Sequence, residues 1–204
     1  MERKYEFTDE TISFLGMTLK RIRAVRNFGN IKKGDFGGYI EGEKNLSHEG
    51  YAWVGGDAKV HGNSKIFGNA LVAGNAEVYG NAEICDNAKV LSRATVCGDA
   101  QICGNAAVGG DATVHNNARV YGNAWILDNI RIYKNARIHG NAEVYGNAQI
   151  CGDSEVYENA KVYGNAQICG NARICGNAHV YGNAQVFGNA CVSGDDRVHA
   201  GIRG

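Results

Sequence analysis

From Val54 to Val198 every sixth residue is Val or Ile, twenty-five positions in succession without an insertion. Four residues after each of the first twenty-four comes Ala or Ser, except at Ile130 and Asp196. The pattern therefore marks one branched and one small inward position per hexad. Between them lie two polar positions, Gly in 18 of 24 hexads and then Asn or Asp in all but one, where Arg93 stands. These residue types accept positive φ at low cost, so the chain turns once every six residues. A β-branched residue between turns favours a short extended strand. A strict short period also means that no unit buries its own apolar face, and burial requires stacking of neighbours.

Each hexad is then one side of a polygon. At about 3.3 Å per residue a side is under about 20 Å, and three sides enclose a space that Val and Ala can fill without a void. Three hexads make a coil of eighteen residues, so n and n+18 stack vertically. The array predicts about eight coils, a prism roughly 40 Å tall at the ~4.8 Å strand spacing. Stacked corner Asn residues are expected to form amide ladders.

Segments such as Val78-Tyr79-Gly80-Asn81-Ala82-Glu83-Ile84 and Val162-Tyr163-Gly164-Asn165-Ala166-Gln167-Ile168 resemble the hexapeptide repeats of left-handed β-helix proteins. That resemblance implies an all-β, single-stranded left-handed parallel β-helix, although crossovers in general favour the right hand. It also implies a homotrimer packed face to face. Upstream, Asp35-Phe36-Gly37-Gly38-Tyr39-Ile40 and Asn45-Leu46-Ser47-His48 are similar to the YdcK-like hexapeptide proteins of bacteria and prophages. This second likeness implies a fold and no particular activity.

Residues 1–50 show no hexad. Strand-like runs at Lys4 to Thr8 and Met17 to Val25, with turns near Leu15-Gly16 and Gly34 to Gly38, predict a small N-terminal β cap. The β-helix is then expected over residues 51–204, with the cap hiding its open edge.

Composition narrows the partners. Twenty-one basic residues balance twenty-one acidic ones, so no global field draws in nucleic acid or an anionic membrane. The MERKYEF start lacks the apolar run of a signal peptide, and no stretch approaches the roughly 20 apolar residues of a membrane span. A cytoplasmic protein, of a bacterial cell or a phage-infected host, is expected. Seven Cys residues occupy regular slots without CxxC spacing, which reads as free thiols in a reducing compartment. Cys85 with Cys103 and Cys151 with Cys169 are vertical neighbours whose oxidation the strand geometry disfavours. The outward Tyr, Cys and His column reads as ladder packing.

The faces begin at Val54 (first), Val60 (second) and Ile66 (third). The first carries an apolar strip in its lower coils, including Trp53, Leu71, Leu91, Trp125 and Leu127, interrupted by Lys89. Such a patch marks either the seat of the cap or a subunit interface. The second face concentrates the irregularities of the repeat. Around Arg93 and Asp128 lie Thr95, Thr113, His115, Asn116, Arg131, Tyr133 and Lys134, within about 10 Å vertically by strand spacing. Three cations, a histidine and hydroxyls fit a pocket for an anionic small molecule.

The expected function is a non-enzymatic, homotrimeric binding protein without cofactor. A prophage-like likeness suggests sequestration of a nucleotide signal, or blocking of a host protein, in defence evasion. A hexapeptide acyltransferase using an acyl-CoA donor is the rival, with His115 as general base; a polymer-forming scaffold is a third reading. No metal is expected, because His61 and His115 share a column but stand three coils apart, about 14 Å, too far for one zinc.

Overall fold

The computed structural model describes residues 2–204 and has the expected all-β, parallel solenoid architecture. Three parallel ladders of two-residue strands run along it. One goes from Trp53–Val54 to Arg197–Val198, one from Lys59–Val60 to Ile202–Arg203, and one from Lys65–Ile66 to Cys191–Val192. Registers advance by eighteen residues, as in Val90↔Val108 and Val108↔Ile126. Backbone bonds between coils are regular, for example Trp125 N to the Ala142 carbonyl at 2.9 Å.

The inward positions are those of the pattern. Val54 to Val192 and nearly every inward Ala are fully buried, Ile130 included. The first polar position of each hexad is left-handed throughout. Asp86, Ser92, Asn116, Asp128, Lys134 and Glu158 adopt φ between 56° and 65° where the other hexads use Gly. The corner amides form ladders. One runs unbroken from Asn69 through Asn87, Asn105, Asn123, Asn141, Asn159 and Asn177 to Asp195, each bond 2.9 to 3.2 Å.

The N-terminal segment departs from expectation in one respect. Strands β1 (Tyr5–Phe14) and β2 (Met17–Ala24) form an antiparallel hairpin, closed at the expected turn, Leu15 and Gly16, both with positive φ. Of the stretch expected to turn, Gly34 to Gly38, the chain turns at Gly34, with φ of 95°, but from Phe36 it is already strand β3 (Phe36–Ile40). This strand pairs antiparallel with β2 on one side and parallel with Lys59–Val60 on the other. Ile40 lies opposite Val60 and Leu46 opposite Ile66, twenty residues on rather than eighteen. Two extra residues hide a hexad phase that starts at Ile40, and the solenoid has about nine turns rather than eight.

The cap takes the lower end of the apolar first face. Phe28 meets Trp53 edge-on with centroids 5.4 Å apart, and Trp53 is only 4% exposed. Leu71 is half-buried, lining the groove between the Phe28–Ile31 loop and the prism. Further up, Leu91 is half-buried, while Trp125 and Leu127 are 56% and 39% exposed. Trp53 is therefore corrected from an interface residue to a cap contact: intramolecular packing reaches it first.

The thiol reading is corrected as well. Cys85–Cys103 and Cys151–Cys169 are disulfides, and Cys97, Cys175 and Cys191 are free. In-register stacking sets their Cα atoms 4.8 and 4.7 Å apart, within the range a disulfide spans. With two pairs bonded, the cysteines do not indicate a reducing compartment. Among the described residues no helix is long and apolar enough to cross a membrane.

Candidate functional site

The strip singled out on the second face is brought together by register, since Thr95 pairs with Thr113 and Thr113 with Arg131. Its members are engaged locally. The Arg93 guanidinium donates to both carboxylate oxygens of Asp111 at 2.5 and 2.6 Å, which holds the Asp111 carboxyl below the usual range. Asp128, in a left-handed corner, accepts a hydrogen bond from Gly146 N, and Asn116 accepts one from Lys134 N. The His115 ring lies parallel on Tyr133 with centroids 5.3 Å apart. Arg131 and Lys134 are exposed. The irregularities thus have backbone consequences: polar side chains at positive-φ corners cap amides of the coil above.

A concavity of about 530 Å³ lies on the third face. It is lined by Asp86, Gln101, Cys103, Arg119, Tyr121 and Arg137, with Gly104 and Gly122 at its corner. Register stacks Gln101, Arg119 and Arg137 in one outward column. Among the described residues neither guanidinium has an ion pair or a hydrogen bond. The next residue up the column, Glu155, is bonded instead to His139 Nε2 at 3.0 Å. Beside this column run stacked rings: Tyr121 on His139 at 4.6 Å and His139 on Tyr157 at 5.3 Å. Burial and the nearby Glu155 carboxylate raise the Tyr121 pKa, while Arg137 and Arg119 pull it the other way. Tyr121 therefore stays a neutral phenol that offers a hydroxyl and an aromatic wall.

Sequence reasoning missed this site because it looked for breaks in the repeat. Arg119 and Arg137 occupy ordinary outward slots in unbroken hexads. The available signal was two like charges eighteen residues apart, which stack in adjacent rungs and repel unless something neutralises them.

Repeat, register and closed apolar core define the class: a parallel β-solenoid protein. The YdcK beta solenoid repeat model matches residues 100–116, 166–182 and 172–185, so over these stretches the chain is similar to YdcK-like β-solenoid proteins. No curated protein matches it.

Proposed function

We propose that this solenoid is a non-enzymatic binding protein for a small anionic ligand, seated on the third face between Arg119, Arg137 and Tyr121. The observation that carries the reading is the stacked pair of unpaired guanidinium groups opening on a cavity of about 530 Å³. Two arginines at rung spacing offer forked donors to phosphate or carboxylate oxygens. Gln101 extends the polar column, and the Tyr121 ring suits a planar group, so a nucleotide is the ligand class with both parts. Arg93, the most conspicuous break in the repeat, is a weaker candidate because Asp111 already occupies its fork.

Calorimetric titration with a panel of mono- and dinucleotides is expected to show saturable binding. The Arg119→Ala, Arg137→Ala double variant should lose at least about tenfold in affinity, since a charged hydrogen bond is worth about 1.5–3 kcal/mol. Arg131→Ala should bind as the parent does. Absence of binding by the parent chain, or equal binding by the double variant, overturns the seat. Turnover of an acyl-CoA that falls on His115→Ala would overturn the non-enzymatic reading.

The reading includes self-association into a homotrimer through the part of the first face that the cap leaves open, around Leu91, Trp125 and Leu127. Two large apolar side chains exposed side by side on one rung are unfavourable in water and support a covered face. Light scattering is expected to give three chain masses, falling to one in the Trp125→Glu, Leu127→Glu variant. A monomeric parent chain rules the trimer out.

A further inference from the structure

The two disulfides occupy the same place in the hexad, one on the third face and one on the second, each joining residues eighteen apart with nearly the same Cα separation. They differ at the left-handed corner that follows the first cysteine. After Cys151 this residue is Gly152, which brings no side chain; after Cys85 it is Asp86. One ligating atom from each of Cys85, Asp86 and Cys103 lies within 4.8 Å of the others, and Cys85 Sγ is 3.9 Å from Asp86 Oδ2. Asp128 and Glu158 also fill corners with carboxylates that bond to the backbone above, but neither follows a cysteine. The conjunction of two sulfurs and a carboxylate is thus absent from the second disulfide.

We infer that reduction of Cys85–Cys103 creates a site for a thiophilic divalent cation of the zinc class, held by both sulfurs and Asp86. The chemistry balances in two steps. A phosphine gives the disulfide two electrons and leaves as its oxide, while one water supplies that oxygen and the two protons that make the thiols. The cation then displaces the two thiol protons, and two thiolates plus one carboxylate oxygen bind it. Thiolate donors select zinc-like ions over magnesium or calcium. Three protein ligands leave the fourth tetrahedral position open. Cys103 and Asp86 both line the concavity of the third face, so that position is accessible from it. Three anionic ligands exceed the charge of the cation by one, and Arg119 and Arg137 line the same hollow. In the disulfide form there is no thiolate to bind, so occupancy follows the redox state of the pair. Zinc binding requires no anion between the arginines.

The test is a zinc titration against a chromophoric chelator, using the full chain reduced with a phosphine and kept free of oxygen. The reduced parent is expected to withdraw one zinc per chain and the oxidised parent none. Cys85→Ser should abolish the uptake. Asp86→Gly, which installs the majority corner residue and so keeps the turn, should weaken it by roughly tenfold or more. Cys151→Ser should leave it unchanged. The inference fails if the reduced parent takes up no zinc, if uptake survives Cys85→Ser, or if Asp86→Gly binds as tightly as the parent.

Discussion

Ile126→Ala is expected to lower the free energy of unfolding by about 2–5 kcal/mol, the range for removing a fully enclosed aliphatic side chain. Ile126 is completely buried, and its rung neighbours Val108 and Val144 are buried too. The interior is filled in each coil by Val, Ile and Ala side chains from all three ladders, and the strand ladders fix the rung spacing. The prism therefore has little freedom to collapse onto the void, which places the cost toward the upper part of the range. Because each coil touches mainly its neighbours, the loss falls on the middle of the array and weakens coupling between its halves. Denaturant unfolding followed by circular dichroism is expected to show a lower midpoint, together with a broader or split transition. An unchanged midpoint would show that enclosure of this side chain does not govern stability.

The second large effect is expected at Gly37. A Cβ there would lie 2.5 Å from Ile22 Cγ1, 2.6 Å from the Val54 carbonyl oxygen and 2.7 Å from Trp53 Cζ2. The next residue is similarly constrained, since a Cβ on Gly38 would stand 2.6 Å from the Ala58 carbonyl oxygen. These glycines let β3 lie directly against the first coil while it pairs with β2. Gly37→Val should cost about 1–3 kcal/mol or more through overpacking against a backbone carbonyl that cannot move away. The expected consequence is release of the β1–β2–β3 cap with the upper solenoid intact. Trp53 provides the readout, being buried under Phe28 while Trp125 is already exposed. In a Trp125→Phe background the emission of Trp53 should shift to the red on Gly37→Val and become accessible to iodide. Emission that stays blue and protected would mean that the cap is held by other contacts.

The fold was legible because its signal is local and repeated. The alternation of branched residue, left-handed corner and small residue states the strand, the turn and the inward direction within six positions. Legibility ended where the repeat paused. Ile40 and Leu46 belong to the first turn, but the spacing of twenty to their partners hid them, and the Gly37-Gly38 pair signalled a turn where the chain uses it for close packing. The candidate site was less legible. Thr95, Thr113 and Arg131 do share a sheet as expected, yet the charge of Arg93 is taken up by Asp111. A hollow of about 530 Å³ lies instead beside Arg119 and Arg137, whose hexads are regular.

The sequence by itself determined the solenoid, its three inward-facing sheets and the stacking of n on n+18, since periodic burial and turn chemistry leave one economical closure. Only the tertiary structure decided that the cap covers Trp53 and leaves Trp125 open, that two cysteine pairs bond, and that one of them has a carboxylate beside it in a hollow shared with two unpaired arginines. Those outcomes depend on distances and competing partners between coils, and periodicity specifies which residues are neighbours without specifying which of them a side chain will choose.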